Sequence, residues 1–127
     1  MQRIILIVED NALCVEPLEV ALLQRADLEV RVVSTAQEAL QFLAVSETPV
    51  AALVTDLHLR LSRIDGFELI ERVRAQRRLA QLPIIVISGD SEPETPGRVK
   101  ALGVEYFSKP YSPGAVRQAL EQLLDVH

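Results

Sequence analysis

The feature that most constrains this chain is a strict alternation, five times over, of short apolar runs with segments of helical spacing. Arg3–Glu9, Leu28–Val33, Pro49–Asp56, Pro83–Ser88 and Glu105–Ser108 are of strand length, and most are rich in Ile, Val and Leu. Between them, apolar residues recur at intervals of three and four. Leu18, Ala21 and Leu22 mark a first helix; Ala36, Ala39, Leu40 and Leu43 a second; Phe67, Ile70 and Val73 a third; Val116, Ala119, Leu120 and Leu123 the last. Thr35 with Glu38 reads as a capping box opening the second helix, and Ser112 before Pro113 as the start of the last. Pro17 means that the first helix either begins near Glu16 or bends at the proline. Ser91 to Gly97, with three helix breakers, leaves the fourth helix only about Pro96 to Leu102. The segment Asp90–Gly97 is accordingly expected to order on activation or on binding a partner.

Alternation of this kind predicts an α/β fold: a doubly wound five-stranded parallel sheet covered by helices on both faces. Strands one, three and four carry unbroken apolar runs, as strands buried on both faces should. Strand two mixes in Glu29 and Arg31, and strand five Glu105 and Ser108, so these two belong at the edges. Of the two common doubly wound orders, 2-1-3-4-5 places strands two and five outside, and it is the order expected here.

A chain of 127 residues is expected to form a single domain, residues 1–127. The lone Cys14 precludes an internal disulfide and a thiolate zinc cluster, and reads as a small buried hydrophobe. The longest apolar run, Ile4–Val8, is too short to span a bilayer or to act as a secretion signal, which points to a cytoplasmic protein with no membrane partner. The formal net charge of −5 argues against direct nucleic-acid binding, which draws much of its affinity from phosphate neutralisation. Arg72, Arg74, Arg77 and Arg78 read as a solvated helix face.

In an open parallel sheet, ligands bind beyond the carboxyl ends of the strands, where strand order reverses. Strand one ends in Glu9 and Asp10, strand three in Asp56, strand four in Ser88, and Lys109 follows strand five. The order 2-1-3 brings three carboxylates to one pocket, with a hydroxyl and an ammonium beyond them. Two unit charges 4 Å apart repel by about 4 kcal/mol at an effective dielectric of 20, so protonation, Lys109 or a metal must offset the repulsion. An all-oxygen set of this size suits Mg²⁺ better than Ca²⁺.

The same pocket excludes rivals. No glycine-rich phosphate loop follows any strand, and the acidic pair would repel a nucleotide phosphate there. An Asp-based phosphatase of the haloacid dehalogenase type needs a second Asp two residues after its nucleophile, where this chain has His58. Neither His58 nor His127 has a nucleophile-elbow serine to serve.

Taken together and in order, these residues resemble the receiver domains of two-component response regulators, from Ile4 to the last helix. Glu9-Asp10 is similar to the family's acidic pair, Asp56 to its phosphoacceptor and Asp65-Gly66 to the downstream loop motif. Ser88 is similar to the Thr/Ser after strand four, Tyr106 to the switch aromatic, and Lys109-Pro110 to the lysine–proline pair. The resemblance implies a bacterial phosphorelay protein with a flavodoxin-like fold. It would take a phosphoryl group on Asp56 from a sensor histidine kinase or a histidine phosphotransfer protein. Mg²⁺ would be held by Asp10, Asp56 and the His58 backbone carbonyl, with Glu9 acting through water. Lys109 and Ser88 would contact the phosphoryl group, Ser88 and Tyr106 would switch, and the Lys109–Pro110 peptide would be cis. Such a protein is a switch that assists its own phosphorylation and dephosphorylation rather than a turnover enzyme, passing the signal to a downstream target or output domain. The other class is a binding module that keeps this fold and signals without phosphorylation. Asp56 to Asp65 is two residues longer than the family's usual spacing and lacks its proline.

Overall fold

The computed structural model describes residues 2–89 and 94–126. Its elements run β1 (Arg3–Val8), α1 (Ala12–Leu22), β2 (Leu28–Val33), α2 (Ala36–Val45), β3 (Val50–Thr55), α3 (Gly66–Ala75), β4 (Ile84–Ser88), α4 (Thr95–Ala101), β5 (Glu105–Ser108) and α5 (Pro113–Val126), with a short 3-10 turn at Arg77–Leu79. The five strands are all parallel and lie in the order β2-β1-β3-β4-β5. The α/β class, the doubly wound topology and the strand order are those expected from the sequence.

The period of two along each strand divides the core between the two faces of the sheet. On one side Leu6, Val8, Leu53 and Val86 pack with Ala36, Ala39 and Leu43 of α2 and Leu69, Ile70 and Val73 of α3. On the other, Ile5, Ile7, Val54 and Ile85 meet Val15, Leu18 and Leu22 of α1 and Val116 and Leu120 of α5. β4 is buried along its whole length, and β1 and β3 beyond their opening residues, whereas β2 and β5 keep exposed positions, as edges flanked by water require.

Local chemistry sets the helix ends. The Glu38 N–H donates to the Thr35 hydroxyl at 3.1 Å, and the Ala115 N–H to the Ser112 hydroxyl at 3.2 Å, so both expected caps form. The start near Glu16 is not found. Asn11 caps α1 through its side-chain oxygen, 3.1 Å from the Leu13 N–H, so the helix begins at Ala12 and runs through Pro17. Helix α4 begins at Thr95, with Pro96 and Gly97 in its first turn, and closes at Gly103, whose φ of 73° favours glycine. The expectation of ordering in Asp90–Gly97 lies largely outside the described residues, as does His127.

Two sequence readings need correction. Arg74 is not part of a solvated face: its guanidinium donates to the carbonyls of Leu82 (2.6 Å), Ala80 (3.2 Å), Gly103 (3.3 Å) and Leu102 (3.4 Å). Arg72, Arg77 and Arg78 do lie exposed, Arg72 paired with Glu68 one turn away and Arg78 also donating to the Leu43 carbonyl at 2.6 Å. Cys14 is only half-buried, because its place on α1 borders the open end of the sheet.

Candidate functional site

Register brings the site together. Val8 of β1 lies level with Thr55 of β3 and Val33 of β2, so Glu9 and Asp56 leave adjacent strands at the same height. The Glu9 N–H donates to the Val33 carbonyl and the Asp56 N–H to the Val8 carbonyl, extending the sheet pattern one residue past each strand. Glu9 and Asp56 thereby enter a cleft while remaining largely buried. Lys109 arrives one residue after β5, its N–H bonded to the Ser88 carbonyl, and the Lys109–Pro110 peptide is cis.

The cleft has a volume of about 660 Å³ and is lined by Glu9, Asp10, Asn11, Cys14, Asp56, His58, Arg60, Gly89 and Lys109. The Lys109 ammonium donates to Asp56 Oδ2 at 2.6 Å and to Glu9 Oε2 at 3.3 Å. The other Asp56 oxygen, Oδ1, accepts from the His58 backbone N–H at 3.1 Å. Glu9 Oε1 accepts from the Asn11 N–H at 3.3 Å, and Asp10 Oδ2 from the Arg60 N–H at 3.2 Å. Each carboxylate accepts from a different backbone N–H, Glu9 and Asp56 share the Lys109 ammonium, and all three line one cleft.

Electrostatics follow from this crowding. Burial, opposed by Lys109 and reinforced by the Asp56 charge, pushes the Glu9 carboxyl up to about 7. Burial pulls the Lys109 ammonium down, but its hydrogen bond to Asp56 and the charges of Asp56 and Glu9 outweigh it, and the net shift is upward. A lysine shared between two carboxylates, with a third at the rim, leaves the cleft net negative.

That imbalance, on an all-oxygen donor set, fits a hard divalent cation. Among the described residues, however, no three acidic, His or Cys side chains are drawn into a cluster able to hold an ion by themselves. The donor set therefore suits an ion that takes part of its coordination from backbone carbonyl and water, as small hard cations do.

Two other features position Asp56. The Gly66 N–H donates to the Leu57 carbonyl at 2.9 Å, and Asp65 caps α3 through the Glu68 N–H at 2.9 Å. Helix α3 is thus seated directly on the backbone carrying Asp56. The intervening loop is pinned by buried Leu57 and Leu59, and by the Ser62 hydroxyl accepting the Ala36 N–H at 2.8 Å.

Of the sequence-predicted residues, Glu9, Asp10, Asp56, His58 and Lys109 meet on the cleft. Ser88 is fully buried at the end of β4 and is not among the lining residues. Tyr106 is half-buried on β5, packed against the core beneath α2, α3 and α4, and Pro110 lies outside the cleft. Sequence reasoning missed Arg60, whose backbone holds Asp10, and Tyr111, whose hydroxyl donates to the Cys14 carbonyl at 2.6 Å. For Tyr111 a signal existed: an aromatic two residues after Lys109 must lie near the same strand end.

Fold and site together define a class, an open parallel α/β protein with an acidic cluster and a lysine at its topological switch point. Residues 5–121 match the family model of the response regulator receiver domain, and the chain belongs to that family. It is 34% identical over 123 residues to the transcriptional regulatory protein GltR of Pseudomonas aeruginosa, covering 96% of this chain and 49% of that protein. A response regulator receiver protein from Pseudomonas putida superposes with a TM-score of 0.80 at 32% identity, over 100% of this chain and 98% of the other. The chemotaxis response regulator CheY4 of Vibrio cholerae shares the fold, with a TM-score of 0.80 at 22% identity over 97% and 99% of the two chains. The chain spans between about a fifth and just over half of the length of the curated relatives it matches here, from 22% to 57%. Receiver domains are signalling switches of two-component systems, and response regulators interact with histidine kinases. Among the described residues, no helix is long and apolar enough to cross a membrane.

Proposed function

We propose that this domain accepts a phosphoryl group on Asp56 from a phosphohistidine of a sensor kinase or histidine phosphotransfer protein, and changes conformation in response. The observation that carries the reading is the Asp56 carboxylate, held at one oxygen by the Lys109 ammonium at 2.6 Å and at the other by a backbone N–H, in a cleft open to a donor. Phosphoryl transfer asks the protein mainly for positioning and charge neutralisation, and this arrangement supplies both.

Asp10 and Asp56, with the His58 carbonyl, are the residues that would hold Mg²⁺, and Glu9 would reach it through water. Bound there, Mg²⁺ supplies neutralisation of the phosphoryl oxygens and lets the acidic cluster accept a dianion. Lys109, now on the Asp56 carboxylate, would move to a phosphoryl oxygen as charge builds on it. Ser88, one residue before the lining Gly89, would turn its hydroxyl to another oxygen, and Tyr106 on the adjacent strand would repack in turn. The domain is then a switch of the cytoplasm that works through protein contacts rather than by binding nucleic acid itself.

Incubation with acetyl phosphate and Mg²⁺, followed by intact-mass measurement, tests the reading. One phosphoryl group on the wild type and none on Asp56→Asn is the expected result. Labelling that persists in Asp56→Asn moves the acceptor elsewhere. An unlabelled wild type instead makes the domain a receiver-fold binding module that signals without phosphorylation.

A further inference from the structure

The cleft contains a second cation for which the receiver reading gives no role. The Arg60 N–H holds Asp10 Oδ2 at 3.2 Å, so residue 60 stands at the rim of the acidic cluster, and Arg60 is one of the cleft-lining residues. Its position is built rather than incidental. Leu59 beside it is buried, the Ser62 N–H closes a turn onto the Leu59 carbonyl at 3.0 Å, and the Ser62 hydroxyl docks on the start of α2. The exposed guanidinium makes no hydrogen bond or ion pair among the described residues. Lys109, by contrast, is already shared by Asp56 and Glu9.

The charge balance gives that guanidinium a task. Three carboxylates outweigh one ammonium by two charges, which a bound divalent cation only cancels, so a dianionic donor approaching Asp56 meets no net attraction from these groups. The positive charge of Arg60, a cleft-lining residue, supplies that attraction, and its planar fork suits phosphoryl oxygens.

We propose that Arg60 contacts the phosphoryl group of the incoming donor, drawing it toward Asp56. This inference rests on the phosphoacceptor reading above. In the step it assists, an Asp56 carboxylate oxygen bonds to phosphorus while the bond from phosphorus to the leaving group breaks, phosphorus–nitrogen in a phosphohistidine, whose imidazole leaves with the electron pair, and phosphorus–oxygen in acetyl phosphate. With acetyl phosphate, acetate departs with that electron pair. Arg60 takes no part in the bond changes and holds no proton that moves.

The test compares wild type, Arg60→Ala and Arg60→Lys in full-length chain. The rate constant for phosphorylation by acetyl phosphate is measured at two ionic strengths, and Mg²⁺ affinity is measured separately by calorimetry without donor. Arg60→Ala is expected to react about tenfold more slowly, the worth of one charge-assisted contact. Its rate should also depend less on salt, because a steering charge has been removed. Arg60→Lys should recover part of the loss, and Mg²⁺ affinity should not weaken in either variant, since the backbone N–H to Asp10 remains. A wild-type rate and salt dependence in Arg60→Ala overturns the inference. So does a loss of Mg²⁺ affinity that matches the loss of rate, which would make Arg60 a positioning residue for Asp10. A wild type inert to acetyl phosphate removes the phosphoacceptor reading and this inference with it, a result distinct from the other two.

Discussion

Gly66 lies so close to the main chain of Asp56 that a Cβ at position 66 would fall 2.2 Å from the Asp56 carbonyl oxygen and 2.7 Å from the Leu57 Cα. Both neighbours are backbone, which cannot swing aside as a side chain can. The substitution Gly66→Ala should therefore push α3 off the end of β3, at a cost of about 1–3 kcal/mol, typical of overpacking. Urea denaturation would measure the stability loss. Because the displaced atoms belong to Asp56, acetyl phosphate labelling should slow as well.

Glu9 gives the metal-free domain an unusual pH response. Its carboxyl is raised in the fold from 4.5 to about 7, so the folded state binds its proton more tightly than the unfolded state does. That contribution to stability is complete below pH 4.5 and is lost as pH rises through about 7, amounting to roughly 1–3 kcal/mol. Thermal melts in chelator should therefore show wild-type stability falling between these values relative to Glu9→Gln. At pH 8 Glu9→Gln should be the more stable protein. Parallel pH profiles for the two would contradict the assignment.

Cation affinity should divide the acidic pair. Among the described residues Asp10 is held by one backbone N–H at the rim, whereas Glu9 is tied down by Lys109 and by the Asn11 N–H. Asp10→Ala is expected to weaken Mg²⁺ binding by an order of magnitude or more, and Glu9→Ala by much less, since a carboxylate working through water contributes less than one that binds directly. Calorimetry or NMR shifts are the measurement, because the chain has no Trp. Equal losses would refute the division.

Arg74 makes a structural prediction. It joins the end of α3 to carbonyls that precede β4 and β5, four acceptors that its removal leaves without their donor. Arg74→Ala should destabilise the domain by about 2–4 kcal/mol, as expected when several carbonyls lose a charged partner. Circular dichroism melts would register this, while Mg²⁺ affinity at the opposite end of the sheet should be unaltered.

What could be read in advance divides along physical lines. Strand order followed from Glu29, Arg31, Glu105 and Ser108, because only edge strands tolerate charge on faces that are otherwise covered. Glu9, Asp10, Asp56 and Lys109 could be placed because strand ends converge by topology alone. Arg74 misled because its acceptors lie as many as 29 residues away, in turns whose carbonyls no periodicity announces. Cys14 misled because small and apolar does not specify which way a helix turns at the rim of a cleft. Arg60 and Ser62 sit in an irregular loop, where neither a period of two nor one of 3.6 residues constrains a side chain.

Ser62 offers the sharpest test of that loop. The first N–H groups of a helix have no partner within it, and α2 meets one of these needs from a distance: the Ala36 N–H donates to the Ser62 hydroxyl at 2.8 Å. This bond holds the lengthened β3–α3 loop against α2, and the same loop presents the Arg60 N–H to Asp10. Ser62→Ala should cost about 1 kcal/mol, the usual worth of a lost cap, with Thr35 still capping the Glu38 N–H. The more telling readout is local. Hydrogen exchange at the Ala36 and Arg60 amides should accelerate together, because one anchor serves both, whereas the Leu69 amide within α3 should keep its protection. Faster exchange at Ala36 alone would show that the loop is held by Leu57 and Leu59 and that Ser62 serves only the helix.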